Sequence, residues 1–132
     1  MMNRRFALIS LASAVISASG RSAFAATDVA VFEKTAFEAA QTAGKSILLH
    51  IAATWCETCQ AQRAVLDNLE KDQAFKDYVI VTIDFDTQKD VMRSFKANSR
   101  STLIVFKGKS EMGRMVAITK PAAIKALMEK GL

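Results

Sequence analysis

The chain has two cysteines, and both lie in one four-residue segment, Cys56-x-x-Cys59. The segment follows Trp55 and an apolar run at residues 47–53, at a point where a buried strand gives way to a helix. Two thiols three positions apart at such a junction can form a disulfide and open again with little backbone movement. The spacing therefore favours a redox pair on a fold that turns from strand to helix at Cys56.

Two other uses of the pair stay open. As a structural staple it would close a loop of about four residues, worth only about 2 kcal/mol in chain entropy, against about 3 kcal/mol for a loop of roughly 15. As a zinc site it is incomplete, because structural zinc takes about four ligands and His50 is the only other strong candidate. A site shared across a dimer would supply the missing ligands.

The N-terminus predicts export. A pair of arginines precedes an apolar stretch at residues 6–18, which is shorter than the roughly 18 to 20 residues that span a bilayer. A small-x-small cleavage pattern at residues 23–25 then predicts a signal peptide over residues 1–25 and a mature domain over residues 26–132.

The export route has two alternatives. Arg4 and Arg5 resemble a twin-arginine signal, but Phe6 follows them directly where that signal usually has one residue between, so the general pathway is favoured. A retained anchor is the alternative to cleavage, and no cysteine near residue 25 offers a lipid attachment point. We expect a periplasmic or secreted protein without stable membrane insertion after cleavage.

Cleavage changes the charge balance. The whole chain has 18 basic and 13 acidic residues and a net charge of +5, and three arginines but no acidic residue lie within residues 1–25. The mature chain of 107 residues would keep 15 basic and 13 acidic residues, a net charge of +2, with both signs interspersed. This balance does not favour nucleic-acid binding, and the length suits one domain, which we expect to be a monomer.

The mature chain alternates helical and strand patterns. Apolar and β-branched runs predict strands at residues 47–52, 78–83, 102–106 and 114–118, with a turn at 107–109. Apolar residues at helical spacing predict helices at residues 32–44, after Cys56 (Ala61, Val65, Leu66 and Leu69), near residues 91–95, and before Gly131. The order β-α-β-α-β-α-β-β-α indicates an α/β fold, and the final hairpin makes its sheet mixed.

The closing helix has its own start signals. We expect Thr119 to cap it, with Pro121 in its first turn. The inward-facing residues are predicted to be Ala122, Ile124, Leu127 and Met128.

With this order and a Trp-Cys-x-x-Cys motif at the end of the second strand, the chain resembles the thioredoxin family over residues 28–131. The matching features include the strand at residues 47–52, the motif with its following helix, and the segment 101–108. The resemblance implies a thioredoxin-like fold, with a central mixed β-sheet flanked by helices, and thiol–disulfide oxidoreductase activity without cofactor or metal. Residues 65–84 are most similar to the exported members of the family.

The resemblance also implies roles for the motif. Cys56, with its sulfur exposed at the helix N-terminus, would attack a substrate disulfide as a thiolate. The more buried Cys59 would then attack Cys56, so that the two form the redox-active disulfide. Trp55 would offer an apolar wall for docking, the alternative being core packing. The implied partners are protein thiols and disulfides, and an upstream membrane electron donor.

The residues between the cysteines depart from the family pattern. Glu57 and Thr58 stand where thioredoxins usually have Gly-Pro. A carboxylate beside Cys56 disfavours its thiolate by like-charge repulsion. We expect a weak oxidant, with a potential nearer the roughly −270 mV of thioredoxin than the roughly −120 mV of a strong periplasmic oxidant.

His50 is a second departure. It stands six residues before Cys56, where thioredoxins carry a buried acid that helps to move the proton of Cys59. A buried imidazole would be neutral near pH 7 and able to accept that proton. The alternative is a core histidine satisfied by the backbone.

Ser101 is a third departure, since the family places a cis-proline directly before Thr102. A cis bond before a non-proline residue costs roughly 3 kcal/mol, so we expect a trans bond between Arg100 and Ser101. We expect the Ser101 hydroxyl to approach Cys56 or to replace part of the lost substrate contact, and Ser101→Pro to fold. Some relatives without this proline can hold metal at the cysteines, which adds slight weight to the metal alternative.

Two functions other than an oxidoreductase stay open. A copper or zinc carrier would use Cys56, Cys59 and Met112 or Met115, although packing in the last hairpin is the favoured role of the two methionines. An interaction protein would keep the fold while the cysteine pair stays inert.

Overall fold

The computed structural model describes residues 30–132, and the predicted signal peptide lies outside them. The elements are α1 (Lys34–Thr42), β1 (Ser46–Ala52), α2 (Glu57–Leu69), a 3₁₀ turn (Gln73–Phe75), β2 (Val79–Asp84), α3 (Lys89–Ser94), β3 (Thr102–Lys107), β4 (Ser110–Val116) and α4 (Pro121–Glu129). The strand order is β2-β1-β3-β4, with β1 and β2 parallel and the other pairs antiparallel. The predicted mixed sheet flanked by helices is confirmed. Within residues 30–132, no helix is long and apolar enough to cross a membrane.

Strand β1 is buried on both faces because nearly all its side chains are apolar. Its odd-numbered apolar residues lie in one core cluster with residues of α1 and α3. Leu48 lies in a second cluster, with residues of α2 and α4. Since alternate side chains of a strand point to opposite faces, His50 shares the face of Leu48 and points toward α2.

Three strand ends and one strand start meet at the same edge of the sheet. Ala52 at the end of β1 is paired with Asp84 at the end of β2. Thr102 at the start of β3 is paired with Ile51 and with Val116 at the end of β4. The chain leaves β1 at this edge and enters the Cys56 turn, so the loops before β3 and after β4 come beside it.

Two strand predictions need correction. The predicted order begins with a strand before the first helix. In the described residues this segment forms only one parallel bridge, between Val31 and Thr82. The last strand is Ser110–Val116 rather than residues 114–118. It begins after the predicted turn at Gly108 and ends before Ala117, whose φ of 58° leaves the extended region.

The start of α4 also differs from expectation. Thr119 is not its cap. Because Pro121 is the first helical residue, the N-cap is Lys120, whose side chain makes no capping hydrogen bond. Ala122 is exposed rather than inward. The buried residues of α4 are Ile124, Leu127 and Met128, as predicted.

Candidate redox site at the end of β1

Cys56 and Cys59 are joined by a disulfide at the start of α2, with their Cα atoms 5.2 Å apart. Cys56 is the N-cap of the helix, and its sulfur accepts a hydrogen bond from the backbone N–H of Cys59 at 3.2 Å. The first N–H groups of a helix lack intrahelical partners and form the positive end of the helix dipole. This position therefore stabilises a thiolate on Cys56 when the disulfide opens.

Both cysteines are buried, Cys56 being 3% exposed and Cys59 2%. The expectation of an exposed Cys56 sulfur beside a distinctly more buried Cys59 is therefore wrong for the disulfide form. Ala53 forms a small apolar cluster with the two cysteines, and the hydroxyl of Ser101 lies against both sulfurs. Access to the Cys56 sulfur is consequently set in part by the loop that carries Ser101.

The Ser101 hydroxyl oxygen lies 3.2 Å from the sulfur of Cys56 and 3.2 Å from that of Cys59. The expected approach to Cys56 is confirmed, and the contact with Cys59 is additional. Residues 30–132 contain no cis peptide bond, so the predicted trans bond before Ser101 is confirmed as well. One hydroxyl proton can serve either sulfur, and a thiolate would be the stronger acceptor.

The backbone of Ser101 is strained. Its φ is 61°, and its N–H donates to the carbonyl of Ile51 at 2.7 Å. Proline can reproduce neither feature, because its φ is fixed near about −65° and it has no N–H. That Ser101→Pro still folds stays a prediction, but the φ and the N–H bond of Ser101 mean that the substitution costs stability.

A second strained residue faces Ser101. Ala117 has a φ of 58°, and its N–H donates to the carbonyl of Ser101 at 2.9 Å. A left-handed conformation costs a residue with a Cβ roughly 1–2 kcal/mol. Strain of this kind concentrates at functional sites, and here one such residue, Ser101, contacts both sulfurs while the other is hydrogen-bonded to it.

Trp55 is 55% exposed and is not a core residue. Its indole N–H donates to Asp86 at 2.8 Å, and its ring packs edge-to-face with Phe85. The guanidinium of Arg100 lies 4.7 Å from the ring centroid. These contacts hold the ring next to Cys56 while half of it stays open to solvent.

The remaining predicted site residues lie on both sides of the disulfide. Glu57 is exposed and Thr58 part-buried in the first turn of α2. The Glu57 carboxylate is favourable to the helix dipole but opposes a thiolate on the preceding residue. Thr102 is buried, and its hydroxyl donates to the carbonyl of Ser99 at 2.7 Å, which holds the loop before β3.

His50 is buried on β1, and its Nε2 lies 3.1 Å from Oε1 of Gln62 on α2. Burial lowers the pKa of His50 to about 4, and the hydrogen bond to Gln62 offsets this only in part. The imidazole is therefore neutral near pH 7, and its partner is a side chain rather than the backbone. His50 and Cys59 line the same cavity of about 280 Å³, and the proton relay between them stays a prediction.

Gln62 is the residue that sequence reasoning missed. The predicted inward residues of α2 included Ala61, which is exposed, whereas Gln62 is fully buried. Gln62 lies three residues after Cys59 and four before Leu66, the spacing of one helix face. A polar residue on that face was the available signal.

The metal-carrier alternative finds no support in the described part of the chain. Within residues 30–132, no group of three His, Cys, Asp or Glu side chains is arranged to hold a metal ion. Met115 packs against the core cluster of α2 and α4, while Met112 is 42% exposed.

Known proteins share this architecture. The thioredoxin family profile matches residues 28–130. Thioredoxin of Echinococcus granulosus is 32% identical over 94 residues, which cover 71% of this chain and 85% of that protein. Thioredoxin of Mycobacterium tuberculosis is 31% identical over 83 residues, covering 63% of this chain and 71% of that protein.

Solved structures agree with the sequence relatives. Trxlp from Edwardsiella tarda superposes with a TM-score of 0.73 at 31% identity, covering 76% of this chain and 98% of that one. Oxidised mitochondrial thioredoxin 3 of Saccharomyces cerevisiae shares the fold, with a TM-score of 0.66 at 22% identity, covering 79% of this chain and 96% of that one. Since the family profile spans nearly the whole described domain and the cysteine pair caps α2 as a disulfide, the chain belongs to the thioredoxin family and is a thiol–disulfide oxidoreductase.

Proposed function

We propose that this oxidoreductase is exported to the cell envelope and reduces disulfides of proteins there. The reductase part of the proposal is carried by the disulfide at the N-terminus of α2, beside the half-exposed ring of Trp55, and the export part rests on the signal-peptide pattern of residues 1–25. The helix terminus favours the thiolate that attacks a disulfide, and the indole offers apolar contact to a polypeptide.

The reaction begins from the reduced pair. The Cys56 thiolate attacks one sulfur of the substrate disulfide, a mixed disulfide forms, and the other substrate sulfur leaves as a thiolate. Cys59 then loses its proton and attacks the Cys56 sulfur, which releases the second substrate sulfur. Two electrons pass from the pair to the substrate, and a dithiol of an upstream membrane donor returns them.

His50 is the proposed acceptor of the Cys59 proton. Its imidazole is neutral near pH 7, because burial lowers its pKa to about 4. The cavity that it shares with Cys59, about 280 Å³, has room for a bridging water molecule. Ser101 acts at the other sulfur, where its hydroxyl donates to the Cys56 thiolate.

The reductase step is tested with the mature protein, a dithiol donor and a protein disulfide such as that of insulin. Cys56→Ser should abolish turnover, because no nucleophile remains. Cys59→Ser should lose turnover and accumulate mixed disulfides, visible on a non-reducing gel. Wild-type protein without turnover would favour the interaction-protein alternative, and a Cys56→Ser variant with most of its turnover would overturn the nucleophile assignment.

Export is tested separately on the full chain in a Gram-negative host. We expect a periplasmic product whose N-terminal sequence begins at Ala26. Replacing the arginine pair, Arg4 and Arg5, by lysines should leave export intact if the general pathway is used and stop it if the twin-arginine pathway is used. An uncleaved product in the cytoplasm would contradict the location.

A further inference from the structure

The Gln62 side chain is fully buried, and both ends of its amide have partners. The nitrogen donates to the carbonyl of Ser101 at 2.9 Å and to the carbonyl of Ile118 at 3.0 Å. The oxygen lies 3.1 Å from Nε2 of His50. The amide thus ties α2 to the loop before β3, to the loop after β4, and to β1.

This arrangement determines which nitrogen of His50 carries the proton. Backbone carbonyls only accept hydrogen bonds, so the donor end of the Gln62 amide must face Ser101 and Ile118. Its oxygen therefore faces His50 and must accept, which requires a proton on Nε2. With the proton on Nδ1 instead, two acceptors would meet in the core at 3.1 Å without a hydrogen between them.

The other ring nitrogen is left as an unprotonated acceptor. Nδ1 of His50 is buried and has no hydrogen-bond partner among the described residues. Buried polar atoms without partners are rare and call for an explanation. A lone pair kept free on a residue that lines the Cys59 cavity is suited to receive a proton for a short time.

We propose that Gln62 is a positioning residue: its doubly anchored amide holds His50 in the Nε2–H form, so that Nδ1 can take the proton of Cys59. This inference rests on the proposed function, in which Cys59 is deprotonated before it attacks Cys56. The hydrogen bonds of the Gln62 amide go to His50, Ser101 and Ile118 and not to either sulfur, so Gln62 acts through the imidazole.

The first test reads the imidazole directly and needs no turnover. His50 is the only histidine in the chain, so untagged, isotope-labelled protein gives a single imidazole in the NMR spectrum. We expect the oxidised wild type at pH 7 to show one neutral form with a slowly exchanging proton on Nε2. Gln62→Met keeps the length of the side chain but not the amide, and should show both neutral forms and faster exchange.

Two control variants separate the amide from general effects. Gln73→Met makes the same chemical change at an exposed position of the 3₁₀ turn and should leave the imidazole signals unchanged. Leu66→Ala loosens α2 one turn after Gln62 and should lower the melting temperature without changing the protonated nitrogen. A change in Leu66→Ala equal to that in Gln62→Met would assign the effect to packing and overturn the proposal.

The second test follows the resolution of the mixed disulfide at pH 7. Gln62→Met should slow this step about tenfold, against the roughly hundredfold loss expected when the base itself is removed in His50→Leu. In the His50→Leu background, Gln62→Met should add little, because it acts through the missing ring. Full additivity of the two substitutions, or an unchanged imidazole in Gln62→Met, would overturn the proposal.

The two tests also distinguish this inference from the proposed function. The wild-type protein could fail to reduce protein disulfides while its imidazole shows the Nε2–H form and that of Gln62→Met does not. The proposed function would then fail, and the assignment of the protonated nitrogen would stand. If the wild type reduces disulfides and Gln62→Met changes neither signal nor rate, the function stands and the role of Gln62 fails.

Discussion

Replacing Ser101 by alanine and by glycine separates the two ways in which this residue shapes the site. Both substitutions remove a hydroxyl that lies 3.2 Å from each sulfur. Only glycine also relieves the positive φ of 61°. A property that depends on the hydroxyl should therefore change equally in both variants, and one that depends on the backbone should differ between them.

The redox potential should depend on the Ser101 hydroxyl. In the proposed mechanism the Ser101 hydroxyl donates to the Cys56 thiolate of the reduced protein, and a hydrogen bond to a charged group contributes about 1.5–3 kcal/mol. About 1.4 kcal/mol corresponds to about 30 mV for this two-electron couple, so losing the bond should lower the potential by about 30–60 mV in both variants. Equilibration with glutathione buffers measures this shift. A potential that stays constant or rises in both variants would refute the proposed donation.

The free energy of unfolding of the disulfide form should depend on the backbone conformation at residue 101. The left-handed conformation costs alanine roughly 1–2 kcal/mol, while glycine loses roughly 0.5–1 kcal/mol through the greater freedom of its unfolded chain. Denaturant unfolding should therefore find Ser101→Gly more stable than Ser101→Ala by about 0.5–1 kcal/mol. Equal free energies of unfolding for Ser101→Gly and Ser101→Ala would refute the claim that the backbone at residue 101 is strained. Ser101→Pro should be the least stable, by about 3 kcal/mol or more, because it also loses the bond to Ile51.

Three further outcomes are expected. Ala117→Gly should stabilise the fold by about 0.5–1 kcal/mol in denaturant unfolding, because it relieves the φ of 58°. The folded pKa of His50, about 4 against an ordinary 6.5, means that the unfolded chain binds a proton that the folded one excludes. Stability should thus fall as the pH drops from 6.5 to 4, by about 3 kcal/mol from His50 in urea titrations, and His50→Leu should remove this part and leave the smaller part due to carboxyls of lowered pKa such as Asp84. Glu57→Gln should make the glutathione-measured potential less negative, because a like charge beside Cys56 is lost.

The strand and helix pattern was predictable because its signals are local. The apolar run of β1 and the strand-to-helix turn at Cys56 lie within a few residues of one another, and the structure agrees with both. The burial of Cys56 was not predictable in this way. Part of its cover comes from Ser101, 45 residues further along the chain, in a loop whose left-handed backbone is not indicated by any short sequence pattern.

Gln62 shows the same limit for polar residues. Its spacing from Cys59 and Leu66 could have indicated the inner face of α2, but its three partners lie 12, 39 and 56 residues away. The position of such an amide on a helix face therefore indicates burial but not its hydrogen-bond partners. Only the sheet edge, which brings the start of β3 and the end of β4 beside α2, determines what it binds.

The departures at His50 and Ser101, which look independent in the sequence, form one hydrogen-bonded unit with Gln62. An acid at position 50, as in the common family pattern, would in its ionised form present an acceptor to the Gln62 oxygen instead of the Nε2–H donor. The amide could then satisfy that carboxylate only by turning over, which would remove its nitrogen from the carbonyls of Ser101 and Ile118. Restoring proline at position 101 would in turn move one of those carbonyls, because the backbone there is held at a φ that proline cannot adopt. Single reversions toward the family pattern therefore break hydrogen bonds on which the other positions depend, so the three residues are best exchanged together.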